Sequence, residues 1–129
     1  MKSICVFAGS AQGSKDSYSR SAKDLGLEIA TREYSMVYGG GSKGLMGVVA
    51  DAVLEGGSSV TGIITEKLHE VEVGHDNLTS LEIVSSMHER KSRMAELSDA
   101  IISLPGGVGT WEEFFEALAW NQLGIYSKP

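Results

Sequence analysis

The sequence predicts an α/β fold, a parallel sheet covered by helices on both faces. Three observations predict it. Short apolar, β-rich runs alternate with stretches of helical periodicity along the chain. Glycine clusters stand directly behind two of the predicted strands, at Gly39-Gly40-Gly41 and Gly106-Gly107. The 129 residues, 42% hydrophobic and 22% charged, have the size and composition of one globular domain, here residues 1–129.

Each element follows from its local pattern. Residues 2–8 form an apolar run too short for a secretory leader and read as a buried strand, followed by a glycine- and serine-rich loop. Tyr18, Ala22, Leu25, Ile29 and Ala30 recur at helical spacing and predict a helix over about 16–33. Residues 35–38 read as a second strand, stopped by the triple glycine. Leu45, Met46, Val48, Val49, Ala52 and Val53 predict a largely buried helix ending at Gly56-Gly57. A third strand over 59–64 leads into 65–79, a polar stretch expected as loop with some helix. Residues 81–84 read as strand, 87–97 as a helix marked by Met87, Met94 and Leu97, and 100–104 as strand. Trp111, Phe114, Phe115, Leu118 and Ala119 predict a helix from 111 to about 123. In such sheets ligands bind beyond the carboxyl ends of the strands. Both glycine clusters and the Arg90-Lys91 pair fall there, so three separate stretches are expected to converge on one edge.

Charge and composition exclude several function classes. Net charge is −6, and residues 65–129 supply all of it, which argues against a general nucleic-acid binder. Arg90, Lys91 and Arg93 form a local basic group within that acidic half, suited to a small anion. No apolar run reaches the ~18–20 residues of a membrane span, so no membrane partner is expected. One cysteine, Cys5, excludes an intrachain disulfide and a cysteine-based zinc cluster; it reads as a buried small hydrophobe in a cytoplasmic protein. His69, His75 and His88 lack metal-ligand spacing and read as surface residues.

The motifs carry competing readings. Gly39-Gly40-Gly41-Ser42-Lys43-Gly44-Leu45-Met46-Gly47 can surround a phosphate with backbone amides, but lacks the P-loop ending; the same glycines would suit a tight turn with close helix–sheet packing. Gly9-Ser10-Ala11-Gln12-Gly13-Ser14 either adds Ser10 to that anion site or merely leads into the first helix. Met87-His88-Glu89-Arg90-Lys91 offers two cations, or a solvated helix face. Pro105-Gly106-Gly107-Val108-Gly109-Thr110-Trp111-Glu112-Glu113 is the most specific stretch, although Thr110-x-x-Glu113 also fits a capping box. Trp111, Phe114, Phe115 and Trp120 could flank a base, although their helical spacing better fits a core or a subunit contact.

Together, Gly39–Gly41 with Gly44-Leu45-Met46-Gly47, Ser86-Met87-His88-Glu89-Arg90-Lys91 and Pro105–Glu113 resemble the Lonely Guy (LOG) family of cytokinin-activating phosphoribohydrolases, often described as lysine decarboxylases. The resemblance covers essentially the whole chain. It implies a Rossmann-like fold, a homodimer, and hydrolysis of the N-glycosidic bond of a nucleoside 5′-monophosphate, with N6-modified adenosine monophosphates as usual substrates. Arg90 and Glu113 match the catalytic pair. Ser10, Gly39, Gly40, Gly41, Gly44, Met87, Lys91, Gly106, Gly107, Val108, Gly109, Thr110 and Glu112 fall at substrate-binding positions. Ala119 and Ala11 depart from a common threonine and serine. Family members continue past Ser127-Lys128-Pro129 with a further strand and helices, so the expected sheet lacks them.

Breaking a ribosyl C–N bond builds positive charge on the sugar, which a carboxylate beside C1′ can stabilise or attack. Glu113 takes that role, Arg90 fixes the nucleotide, and Glu112 is the one weak candidate for a leaving-group acid. No metal or other cofactor is expected. A decarboxylase commonly needs a Schiff-base lysine, and only Lys43 and Lys91 lie near the expected site. A non-catalytic nucleotide-binding or carrier protein on the same fold is the alternative.

Overall fold

In the computed structural model, which describes residues 2–71 and 74–129, the chain runs β1 (Ser3–Phe7), α1 (Asp16–Thr31), β2 (Ser35–Tyr38), α2 (Gly44–Glu55), β3 (Val60–Thr65), α3 (Glu66–Val71), β4 (Ser80–Val84), α4 (Met87–Leu97), β5 (Ala100–Ser103) and α5 (Val108–Gln122). All five strands pair in parallel, in the order β4-β3-β2-β1-β5. This is the expected Rossmann-like sheet. The mixed stretch 65–79 resolves into α3 and the residues leading to β4; its positions 72–73 lie outside the described residues.

A period of two along the strands sorts the core into two layers. Ile4 and Val6 join Met36, Tyr38 and Val60 beneath Ala22 and Ile29 of α1 and Leu45, Val49 and Val53 of α2. Cys5 points the other way, joining Val37, Ile63, Val84 and Met94 of α4, with Phe7 and Ile101 packed alongside. Strands buried on both faces need apolar side chains at successive positions, which is why they read as continuous runs. Gly26 sits where α1 and α2 come closest: a Cβ there would lie 2.6 Å from the Val49 carbonyl oxygen.

Helix ends follow local rules with one exception. At the end of α2, Ser58 N donates to Val53 O and Gly57 N to Leu54 O, with Gly57 at φ +86°. The end of α1 repeats this wiring through Tyr34 and Glu33, and Glu33 takes the left-handed conformation (φ 58°) without being glycine. α4 opens on a cap that the sequence reading missed. Ser86 Oγ accepts from Glu89 N, while the Glu89 carboxylate reaches back to the amide and hydroxyl of Ser85. The expected capping box at Thr110 does not form. α5 begins three residues earlier than expected, after Gly107, and its N-cap makes no side-chain hydrogen bond. Glu113 is therefore free of capping duty.

The strand order reverses direction between β1 and β5, the crevice where open α/β sheets bind ligands. The loops after these strands touch, Gly9 N donating to Pro105 O at 3.3 Å. On the far side of β5, Ile101 N donates to Pro129 O at 2.8 Å, and Asn121 holds both backbone groups of Lys128.

Candidate active site

A cleft of about 140 Å³ opens at the carboxyl ends of β1 and β2. Phe7 and Ala8, Tyr38 and Gly39, Met87 and Arg90 of α4, and Gly109, Glu112 and Glu113 of α5 border it. Stretches more than a hundred residues apart in sequence thus meet where the sheet topology places a ligand. Met46 and Tyr38 also line the cleft, and sequence reasoning missed both. The signal for Tyr38 was its place as the last strand residue before the triple glycine.

Arg90 is held by the sheet rather than by an acid. Its Nε donates to the Ile63 carbonyl at 2.8 Å, and one terminal nitrogen donates to the Gly39 carbonyl at 2.9 Å. Carbonyls of β3 and of the residue after β2 therefore fix the guanidinium while leaving its charge unneutralised. Gly39 has to be glycine for this: a Cβ there would lie 2.2 Å from the Arg90 nitrogen.

Glu113 is the complementary half. It is half-buried, and its carboxylate accepts no hydrogen bond from the described residues. Burial pushes its pKa above the usual glutamate range. Arg90 pulls it back, Glu112 pushes further, Lys91 opposes and Glu116 adds to the rise. A carboxylate stripped of hydrogen-bond donors and facing a fixed cation suits stabilising a transient positive charge.

The rest of the basic group is already neutralised. Lys91 turns to α5, where its ammonium pairs with Glu112 and, at 3.0 Å, with Glu116. Arg93 grips Glu82 through two nitrogens and also meets Glu96. The basic patch anticipated from sequence is thus one available cation, Arg90, flanked by two structural ones. Burial works against the Lys91 charge, but its two carboxylates outweigh burial and raise its pKa. That is the reverse of what a Schiff-base lysine requires.

His69 and His88 are exposed as expected, but His75 is not. Its ring is buried between Asp51 Oδ1, 2.5 Å from Nε2, and Asn77 N, which donates to Nδ1 at 3.1 Å. The surface expectation fails because nothing in the local pattern announces a partner 24 residues earlier, on α2. Cys5 is buried as expected, and burial pushes its thiol up to about 12.

The glycine stretches divide. The Gly39, Gly40 and Gly41 carbonyls accept from Arg90, His75 N and Tyr38 Oη respectively. Leu45 N and Met46 N, at the start of α2, donate to the carbonyls of Ala11 and Gly9. Gly44 packs against the backbone of Ser10. Around α5, Gly106 and Thr110 press together and line a neighbouring groove with Trp111 and Phe114. Gly107 and Gly109 face open space, a Cβ built there meeting no other part of the described fold within 4 Å, and Val108 is 87% exposed.

With this geometry in place, comparison with known proteins becomes informative. The profile of a family described as "Possible lysine decarboxylase" matches residues 46–129. The chain belongs to this family. Its LOG-type members include a probable cytokinin riboside 5′-monophosphate phosphoribohydrolase of Oryza sativa subsp. japonica, 50% identical over all of this chain and 56% of that protein. The cytokinin riboside 5′-monophosphate phosphoribohydrolase LOG3 of Arabidopsis thaliana is 52% identical over 98% of this chain and 59% of its own. The chain spans just over half the length of these curated relatives. Among solved structures, that of TM1055 superposes with a TM-score of 0.77 at 27% identity, covering 94% of this chain and 71% of the other. The molybdenum cofactor carrier protein of Chlamydomonas reinhardtii, at 22% identity and a TM-score of 0.78, covers 92% of this chain and 71% of its own and shares the fold.

Proposed function

We propose that the protein is a phosphoribohydrolase that cleaves the N-glycosidic bond of a nucleoside 5′-monophosphate, releasing the base and ribose 5-phosphate. The observation that carries this reading is that Arg90 and Glu113 border one cleft at the carboxyl ends of β1 and β2. The names of the LOG relatives support adenosine monophosphates bearing a cytokinin base as the substrate class.

The geometry suggests a division of labour. The open amides after Gly106, at the N-terminus of α5, receive the 5′-phosphate, because that helix end is positive and no loop covers Gly107 or Gly109. Holding phosphate and ribose directs binding energy to orientation at C1′. Glu113, ionised, faces the anomeric carbon and stabilises the positive charge that develops as the C–N bond breaks, or forms a transient ester with it. Water then adds at C1′, its hydroxyl going to the sugar and its proton to the departing base. Arg90 holds the ribose and keeps Glu113 charged despite its burial. Lys91 tethers Glu112 and Glu116, and through them sets the face of α5 that presents Glu113.

We infer that the working unit is a cytoplasmic homodimer. Trp111, Phe115 and Leu118 are exposed at successive turns of α5, Trp111 at 60% and Phe115 at 54%, which removes the core reading of these aromatics and favours a subunit contact. Light scattering should then report twice the mass of one chain. The single cysteine, buried and unpaired, supports a reducing compartment. No helix among the described residues is long and apolar enough to cross a membrane.

Incubation with AMP or its N6-isopentenyl derivative, followed by chromatography, tests the hydrolase reading. Free base and ribose 5-phosphate are expected. Glu113→Gln should lower the rate about a thousandfold while AMP still binds. Tight binding by the unmodified protein with no base released would instead favour a nucleotide carrier.

A further inference from the structure

Arg90 is placed by two carbonyls, Ile63 O on its Nε and a glycine turn on its terminal nitrogen. Its terminal nitrogen takes the Gly39 carbonyl, and Gly39 opens a turn whose next residue sits at φ +84°. That turn is pinned from outside. Gly40 O accepts from His75 N at 3.1 Å, Gly41 pairs with Gly74 in an antiparallel bridge, and Gly41 O accepts from Tyr38 Oη at 2.7 Å. Two of these three fixings belong to the Gly74-His75 segment.

That segment is itself anchored by one side chain. The His75 ring accepts from Asn77 N through Nδ1, so its proton lies on Nε2 and is donated to Asp51 Oδ1 on α2. His75 is 6% exposed at the side chain and Asp51 61%. An apolar residue could fill the same space, but it would give no directional tie to α2. A continuous path therefore runs from α2 through Asp51, the His75 ring, the His75 amide and the Gly40 carbonyl to the Gly39 carbonyl and the guanidinium of Arg90.

We propose that the His75–Asp51 pair is a latch that positions Arg90, with His75 a positioning residue rather than a catalytic one. The latch rests on the reading of Arg90 given above for its effect on turnover, but not for its effect on the arginine itself.

Asp51→Ala is the decisive variant, because Asp51 is exposed and its loss leaves the core packing alone. In the 15N-labelled protein, the signal of the Arg90 terminal nitrogen that donates to Gly39 O should shift and its protons exchange with solvent about tenfold faster, while Nε–H, held by Ile63 O, serves as the internal reference. With AMP, kcat should fall about tenfold while KM stays within about twofold and Tm falls only by a few degrees, since the His75 Nε2–H loses its acceptor. Asp51→Asn, whose side-chain oxygen still accepts from Nε2–H, should restore both signal and rate. His75→Phe should match Asp51→Ala if it folds. An unchanged Arg90 signal in Asp51→Ala, or equal damage from the alanine and asparagine variants, overturns the latch. If the unmodified protein releases no base from AMP, the hydrolase reading falls, and the arginine signal still decides the latch.

Discussion

Two glycine-led helices, α2 and α5, begin at the same edge of the sheet and serve opposite ends. At α2 the chain closes on itself. The amides of Leu45 and Met46 are taken by the carbonyls of Ala11 and Gly9, and a Cβ on Gly44 would lie 2.3 Å from the Ser10 carbonyl carbon. At α5 the same kind of sequence stays open. A Cβ on Gly107 or Gly109 would meet no other part of the described fold within 4 Å. The difference teaches that a glycine cluster behind a strand has two uses. It either lets protein backbone approach protein backbone, or leaves room for a ligand's backbone contacts. Only the neighbours decide which.

The comparison breaks most easily at α2. Gly44→Ala combines a left-handed φ of +65° with overlap against fixed backbone, so it should cost about 3 kcal/mol or more, read as a large drop in Tm. Gly109→Ala sharpens the contrast. Its methyl has free space within a helix, so stability should hold or rise by up to about 1 kcal/mol. Because Gly109 borders the cleft, the same methyl should weaken AMP binding about tenfold in a titration. A stable, tightly binding Gly109→Ala would move the phosphate away from α5.

A smaller effect separates the two helices by pH. Glu113 rides on α5, and burial raises its pKa. Turnover that needs the ionised form should rise with pH along an acid limb lying above the ~4.3 of an ordinary glutamate. Stability should run the other way. The folded state binds this proton more tightly than the unfolded chain, so its contribution is full below the ordinary glutamate pKa and is lost as pH rises through the raised one. Glu113→Gln should flatten that part of a Tm-against-pH curve and melt higher than the unmodified protein at pH 7. Substitutions in the Gly44 turn, which holds no buried carboxylate, should leave the curve's shape alone.

Much of the fold was legible because its signals are local. The strands announced themselves by β-branched apolar runs, and α4 by the spacing of Met87, Met94 and Leu97. Gly56-Gly57 marked the end of α2 because a left-handed C-cap favours glycine. The start of α5 differs from the expectation because Val108 and Gly109 are poor helix formers, whereas the close approach of Gly106 to Gly9 and to Thr110 sets the true start. Arg90 and Glu113 were legible as a pair through the two motifs that carry them. The Gly39 carbonyl beneath Arg90, the two carboxylates around Lys91 and the burial of His75 were not, since each depends on a partner far along the chain.

By itself the sequence determined the parallel sheet, its helices and the edge on which the candidate site gathers, because hydrophobic period and glycine placement act within a few residues. The tertiary structure alone decided which charges remain uncompensated and which helix end stays open. Pairing of Lys91 and Arg93 with acids, blocking of α2 by the β1 loop, and the stripping of donors from Glu113 are matters of distance in space, which residue order does not encode locally.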